Sequence, residues 1–398
     1  MTNILLVIPN LGSGGAQRVF RQQYDFYSQH FNLVACVFNK DNLVQADSNL
    51  NLISLNVPAG DNLITKAVYF VQRISRLRAI KRKHKITHSI SHLEGADYVN
   101  ILSVRTEKVI CWIHGTKKFD NEISGLLGWI RRRVFIPNLY IRSDHLICVS
   151  EGIRKELQRD YKFKPELLAV IHNGFNADEI LQQAKNQVNF PHNQLPVLIT
   201  HGRLAHQKNL LALISIFAKV KRNLKCRLVI IGDGELRDRL VDQATSLGLV
   251  SYKRWQGDLL SPEYDVYFMG YQSNPYPLLT RGSLYLMTSL WEGFPLALCE
   301  AMICGVPVMA SDCFTGPREI LAPELNTKQP TAIPIVTSNG MLMPLANSLA
   351  SIDFWSDEIC KLLNDESKRT LMAQNANLRS KDFDLTKIHK KWLALIND

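Results

Sequence analysis

Trp291-Glu292-Gly293-Phe294-Pro295-Leu296-Ala297-Leu298-Cys299-Glu300-Ala301-Met302-Ile303-Cys304-Gly305-Val306-Pro307 reads as a loop that runs into a short helix and out again toward a strand. Pro295 suits the first helical position, where a missing N–H costs nothing, and Gly305 suits the stop, so the spacing predicts a helix over roughly 295–304. Glu292 then lies in the loop ahead of the helix, with Glu300 more than a turn inside it. Carboxylates so spaced can hold hydroxyls at two points of an extended ligand, while the amides of Gly293 and Phe294 face the same space. Taken alone, Glu300 also reads as a solvent-facing helix residue; the whole string does not.

Working outward, the same strand-and-helix alternation fills the chain. Ile4–Ile8 is a short apolar run, followed by a glycine loop and a stretch from Ala16 to Phe31 with apolar residues at helical spacing. Leu33–Phe38, Val109–Ile113 and His145–Val149 read as buried strands, with helical patterns at Ile64–Ile80 and Glu151–Asp160. After a polar, proline-containing linker at 186–196 the alternation restarts: strands at Val197–Thr200, Arg227–Ile231, Leu284–Met287 and Pro307–Ala310, helices at Asn209–Lys221 and Leu236–Leu247. Continuous apolar strands between helices predict α/β architecture: two Rossmann-like, doubly wound parallel-sheet domains, whose strand C-termini would face a central cleft. The expected domains are 1–185, 186–380, and a C-terminal helix at 381–398 packing back toward the first.

Composition narrows the class. Across 398 residues, 46% hydrophobic and 21% charged content is ordinary for a soluble globular chain, and no repeat or low-complexity stretch is present. Ile4–Ile8 stops at Pro9, far short of a signal-peptide core or a membrane span. Eight cysteines form no Cys-x-x-Cys pair, which favours reduced thiols in a cytosol over zinc or a disulfide frame. The net charge of +11 divides as +8 for residues 1–184 and +3 for the rest. Its clusters are Arg73, Arg76, Arg78, Lys81, Arg82, Lys83 and Lys85, and then Arg131, Arg132, Arg133 and Arg142 among Trp129, Ile130, Val134, Phe135 and Ile136. Such interleaving suits an anionic membrane surface or a phosphorylated acceptor, and it equally describes surface charges around a core helix. No aromatic-basic nucleic-acid motif accompanies it.

Two further loops carry chemistry. Gly12-Ser13-Gly14-Gly15, between a strand and a helix, lets backbone amides approach a phosphate, and it also reads as a plain tight turn. Gln17 stands where the dinucleotide fingerprint needs glycine, which disfavours a nicotinamide enzyme. Arg203 and Lys208, on a strand-to-helix loop, can grip a diphosphate as a fork and a point charge, or be ordinary solvated cations.

Glu292-Gly-Phe-Pro-x-x-x-x-Glu300-Ala-Met-x-x-Gly305-x-Pro307 resembles the E-x7-E signature of retaining GT-B glycosyltransferases of family 4, the glycosyl transferase group 1 domain. Gly14-Gly15-Ala-Gln-Arg18, Gly202-Arg203-Leu-x-x-Gln-Lys208-Asn209, Gly232-Asp-Gly234-Glu-Leu-Arg237, Phe268-Met-Gly270-Tyr271-Gln-x-Asn274-Pro-Tyr276 and Ser311-Asp-Cys-Phe-Thr-Gly316-Pro-Arg318-Glu319 follow in family order. The resemblance implies that Arg203 and Lys208 hold the donor diphosphate and Glu300 the ribose. Glu292, Gly293 and Phe294, with Pro295 and Leu296, would hold the transferred sugar, and Gly270 and Tyr271 would edge the base. His114 matches the family's N-domain histidine near the donor sugar; Gly14 and Gly15 would close over phosphate or acceptor with Arg18 behind them. Arg131, Arg132 and Arg133 fall on the acceptor side. The implied reaction moves a UDP-linked hexose or N-acetylhexosamine to a glycan or lipid-linked glycan of a bacterial surface polysaccharide, with no cofactor and no metal site. It would run at the inner face of the membrane, without nucleic acid. A soluble acceptor, or a protein that binds a nucleotide sugar without turning it over, stays open; a phosphorylase would need a pyridoxal lysine and a longer chain. Ser251–Tyr264 and Thr327–Ser338 are expected as inserted loops.

Overall fold

Ile4, Leu5, Leu6, Val7 and Ile8 are all fully buried, as a strand covered on both faces requires. In the computed structural model the described residues are 2–12, 14–40, 50–119, 125–191, 195–325 and 329–397. Ser13, part of the expected linker (192–194) and part of the expected insertion (327 and 328) lie outside them. The chain divides into two compact units, Met1–Gly174 with Thr386–Asp398, and Phe175–Leu385. The second unit therefore opens at Phe175, ahead of the boundary expected at 186, because helix Ala177–Ala184 packs on helices Tyr276–Leu279 and Leu296–Ile303.

The first unit holds β1 (Asn3–Ile8), β2 (Asn32–Val37), β3 (Leu52–Ser54), β4 (His88–His92), β5 (Lys108–Ile113), β6 (His145–Cys148) and β7 (Leu168–Val170). They form one parallel sheet in the order β3-β2-β1-β4-β5-β6-β7. The chain winds outward through β2 and β3, then returns to the far side of β1. The switch point, where doubly wound sheets open a crevice at the strand C-termini, is thus between β1 and β4. From Thr386 on, helix Leu385–Asn397 belongs to this unit: His389 stacks on Phe26 at 3.9 Å, and the buried Trp392 meets Phe26, Tyr27 and Trp112.

The second unit holds β8 (Val197–His201), β9 (Arg227–Ile231), β10 (Ser251–Lys253), β11 (Val266–Phe268), β12 (Leu284–Met287), β13 (Val308–Ser311), β14 (Ile335–Thr337) and β15 (Gly340–Met343). The order is β10-β11-β9-β8-β12-β13-β15-β14, parallel except for the edge strand β14. The stretches expected as insertions thus supply both edges: β10 lies within 251–264 and β14 within 327–338. Here the switch point is between β8 and β12. A core of Phe217, Phe268 and Trp355 among aliphatic residues supports it, with the Trp355 indole N–H donating to the Pro344 carbonyl at 2.9 Å.

Glycine sets the loop geometry above this switch. Gly232 has φ of 142°, and a Cβ there would stand 1.9 Å from the Gly202 carbonyl oxygen, so the loops after β8 and β9 touch backbone to backbone. Gly202 donates to Ile231, Leu204 to Asp233 and Leu236 to Leu204, each at 2.9 Å. Gly316, at φ of 90°, similarly lets the 313–316 loop close on Gly293 and Pro295.

Candidate active site

In the second unit, β8 delivers His201, Gly202 and Arg203 to the switch point, and β12 delivers Thr288 and Ser289 with the loop that carries Glu292. A short 3-10 turn, His206–Lys208, swings Lys208 back toward that loop. Its ammonium lies 2.6 Å from Glu292 Oε1, and the Ser289 hydroxyl donates to the same oxygen at 2.7 Å. Gln207 fastens the arrangement: its side-chain amide donates to the Trp291 carbonyl at 2.7 Å, and its own carbonyl accepts from Leu290 N–H at 2.8 Å. The Thr315 hydroxyl donates to the Glu292 carbonyl from the other side. Glu292 is thus a buried, ion-paired and oriented carboxylate, not a loose loop residue.

Glu300 is buried on helix Leu296–Ile303, one residue shorter at each end than expected. His201 Nε2 stands 2.6 Å from its Oε2, and the Tyr276 hydroxyl donates to Oε1 at 3.3 Å. Arg203 extends into solvent, with Glu235 3.6 Å away. Gly202, Arg203, Lys208, Thr288 and Ser289 all border one small open pocket. The Phe294 ring turns inward, edge-on to Phe383 at 5.0 Å, so this residue can offer a ligand only its backbone. Pro295 and Leu296 lead into the helix, Gly270 accepts from Gly232 N–H at 2.9 Å, and Tyr271 is 62% exposed.

The first unit has its own polar centre, at the ends of β4 and β5. His114 follows β5, and its Nε2 lies 2.8 Å from Nδ1 of His92, the last residue of β4. Burial, with the Lys117 ammonium nearby, pushes His114 down to about 3, so it is neutral at ordinary pH. Burial also raises Asp97, to about 7, although the Ser91 and Tyr140 hydroxyls both donate to it at 2.7 Å. Gly14 and Gly15 begin helix Gly15–His30, where the Arg18 amide donates to the Gly14 carbonyl at 3.0 Å.

The basic clusters need correction. Arg131, expected at the acceptor-facing surface, is 4% exposed and grips Glu94 through Nε and Nη2 at 2.5 and 2.7 Å. The Tyr98 hydroxyl at 2.6 Å and Lys117 at 3.1 Å complete the shell. Burial pushes the Glu94 carboxyl up, but the Lys117 and Arg131 cations prevail and hold it at about 2. Arg132 and Arg133 are outside that shell and more exposed. In the earlier cluster Arg73, Arg76 and Arg78 donate to carbonyls of Pro58, Asn56 and Leu102 at 2.5, 2.8 and 2.7 Å. Lys81 is buried against Glu107 at 2.7 Å. Arg73 and Arg76 thus hold the connection that follows β3, and Arg78 and Lys81 the one that runs from helix Glu94–Leu102 to β5. Sequence reasoning missed Gln23, His92, Glu94, Asp97 and Lys117 as a network, because Ser91-His92-Leu93-Glu94 matches no motif and the other members lie elsewhere in the chain.

Comparison with known proteins follows the same two halves. The family model for glycosyl transferases group 1 matches residues 182–379, and that for glycosyltransferase family 4 matches residues 14–179. An uncharacterized glycosyltransferase of Methanocaldococcus jannaschii is 28% identical over 351 residues, 82% of this chain and 83% of the relative. The Campylobacter jejuni N-acetylgalactosamine-N,N'-diacetylbacillosaminyl-diphospho-undecaprenol 4-alpha-N-acetylgalactosaminyltransferase is 23% identical over 403 residues, 100% of each chain. Among solved structures, Anabaena HepE in complex with UDP superposes with a TM-score of 0.72 at 18% identity over 100% of both chains. Sucrose-phosphate synthase of Thermosynechococcus elongatus gives 0.78 at 16% identity, over 100% of this chain and 98% of that one. With one model on each half and both sheets shared with such structures, the chain belongs to the family-4, group-1 glycosyltransferases of the two-domain GT-B fold.

Proposed function

We propose that this glycosyltransferase moves a hexose or N-acetylhexosamine from UDP to a lipid-linked glycan during surface-polysaccharide or lipopolysaccharide assembly, with retention and without a metal. The second unit takes the donor and the first the acceptor. The observation that carries the reading is the Lys208–Glu292 pair beside a pocket bordered by Arg203. An ammonium has three donors, so Lys208 can keep Glu292 and still reach a diphosphate oxygen. Arg203 adds a planar fork, and Glu300, fixed by His201 and Tyr276, is the carboxylate assigned to the ribose hydroxyls. As the bond from the sugar to the diphosphate breaks, its electron pair goes to the leaving oxygen, whose charge these cations stabilise. The acceptor hydroxyl attacks from the same face and passes its proton to that oxygen. In the first unit, His114, Gly14, Gly15 and Arg18 are the residues proposed for the sugar and the acceptor.

Relatives support the substrate class. Two Campylobacter transferases act on undecaprenol-linked N-acetylgalactosamine glycans, a Salmonella relative is a lipopolysaccharide 1,6-galactosyltransferase, and HepE binds UDP and UDP-glucose. Site of action is read as the inner membrane face: Leu126, Trp129, Val134, Phe135 and Ile141 are exposed apolar residues around Arg132 and Arg133. No helix among the described residues is long and apolar enough to cross a membrane.

The deciding experiment incubates the protein with a panel of nucleotide sugars and an undecaprenyl-diphosphate-linked glycan in excess EDTA. A UDP sugar should raise Tm most and yield an α-linked product with EDTA present. Preference for another base overturns the donor, a β-linkage overturns retention, and turnover that returns only with magnesium overturns the metal-free route.

A further inference from the structure

We propose that His92, steadied by Gln23, is a positioning residue that locks His114 in the neutral tautomer carrying its hydrogen on Nε2, leaving Nδ1 to accept from a sugar hydroxyl. The inference rests on the reading that His114 faces the transferred sugar.

His92 is 0% exposed and cannot turn. Its ring stacks on Trp112 at 5.9 Å and 21°, and meets Phe20 edge-on at 5.6 Å. Trp112 lies directly opposite it in the β4–β5 register. Both ring nitrogens are engaged, Nδ1 with His114 Nε2 at 2.8 Å and Nε2 with Gln23 Oε1 at 3.1 Å. Two imidazole nitrogens at that separation share one hydrogen, since two hydrogens would clash and two lone pairs would repel. A carbonyl oxygen only accepts, so His92 carries its hydrogen on Nε2. Its Nδ1 is then a lone pair, and His114 Nε2 must donate to it. A neutral imidazole has one N–H, which leaves His114 Nδ1 bare. Burial keeps both rings neutral, pushing His114 down to about 3 and His92 well below its ordinary value. The turn that places the pair is strained: Leu93, next to His92, has φ of 72° and ψ of 144°, where a Cβ is unfavourable. Reversing the Gln23 amide would reverse every hydrogen along this line and make His114 Nδ1 a donor.

The test is nitrogen-15 NMR of histidine-labelled full-length protein, with His114 assigned by its loss in His114→Ala. A single Nε2–H tautomer is expected for His114 in the wild type and in Gln23→Glu, whose carboxylate also accepts. His92→Leu and Gln23→Leu should each release the tautomer and lower kcat roughly tenfold while donor KM stays within about twofold. His92→Gln, which retains an acceptor oxygen, should recover part of the loss. If His92→Leu does not fold, Gln23→Leu carries the test, because it leaves the aromatic cage in place. An Nδ1–H tautomer in the wild type, or wild-type kcat in the folded leucine variants, overturns the proposal. Normal turnover in His114→Ala removes the reading beneath it as well, whereas slow His114→Ala beside fast His92→Leu and Gln23→Leu removes only the relay.

Discussion

Glu292 shares one oxygen with Lys208 and Ser289, which makes the pair a structural bond as well as a proposed site, and the two roles separate by mutation. Lys208→Met leaves a buried carboxylate with no cation beside it, held by the Ser289 hydroxyl at 2.7 Å and the Gln207 side-chain amide at 3.5 Å, and should cost about 1–3 kcal/mol of stability in urea unfolding. Adding Glu292→Gln removes the stranded charge and should recover most of that loss. Transfer, if Lys208 holds the diphosphate, should stay down roughly ten- to a hundred-fold in both variants. Recovery of transfer along with stability would reduce Lys208 to a prop for the loop. In the first unit the residue-scale signal is pH. His114 falls from an ordinary 6.5 to about 3, so between those values the unfolded chain binds more protons and stability rises with pH. Asp97, raised from 3.8 to about 7, works the opposite way: its contribution is complete below 3.8 and is lost as pH rises through 7. Net stability therefore mixes both signs, and a difference isolates one. Wild type minus His114→Gln, followed by urea midpoints, should increase from pH 4 to about 6.5 and then level; a flat difference would show that His114 is not held neutral by the fold.

Loops above the strand ends carry the residues proposed for the donor, and their positions depend on where glycine is required and where it is merely tolerated. Gly232→Ala drives a methyl into the Gly202 carbonyl and should cost about 3 kcal/mol or more, displacing Arg203 with it. Gly248→Ala shares the positive φ but meets nothing within 4 Å, so it should cost only about 1–2 kcal/mol. Thermal unfolding of the two variants compares them directly, and equal shifts would mean that the backbone contact relaxes. The same loops explain what the sequence made legible. Elements whose pattern is uniform, such as Val197–His201 and Arg227–Ile231, declare themselves as buried strands, and Pro295 and Gly305 bracket their helix to within one residue at each end. His88-Ser-Ile-Ser-His92 does not: all five residues are buried in β4, but four are polar, and their partners, Asp97 and His114 among them, come from elsewhere in the chain. Short edge strands β10 and β14 were hidden for a different reason, since only one neighbour has to cover them. Arg131 was misread because a buried fork and a surface charge have the same letter; only Glu94, brought beside it by the turn after β4, distinguishes them.

At the scale of the whole molecule, several cations of residues 1–184 are anchored within the fold and cannot reach out to a surface: Arg73, Arg76 and Arg78 on carbonyls, Lys81 and Arg131 on carboxylates. Membrane attraction must then come from fewer cations helped by apolar side chains. Around Arg132 and Arg133 the chain exposes Trp129 at 55%, Phe135 at 48% and Val134 at 42%, more apolar surface than a solvated turn needs. Helix Leu63–Lys83 adds Leu63, Ile64, Val68 and Val71, all exposed in its first half, ahead of the arginines that anchor its second. Each free cation near an anionic surface contributes about 1 kcal/mol, and salt weakens it, whereas inserted apolar side chains are indifferent to salt. Sedimentation with vesicles distinguishes these contributions. Wild type should pellet with anionic vesicles at low salt and be only partly released at high salt. Arg132→Ser with Arg133→Ser should lose the salt-sensitive part, and Trp129→Ser with Phe135→Ser the salt-resistant part. Arg131 is left untouched, because removing it would strand Glu94 and report on folding instead. If the wild type ignores anionic vesicles at low salt, the acceptor is a soluble one, and the lipid-linked reading falls with the membrane contact.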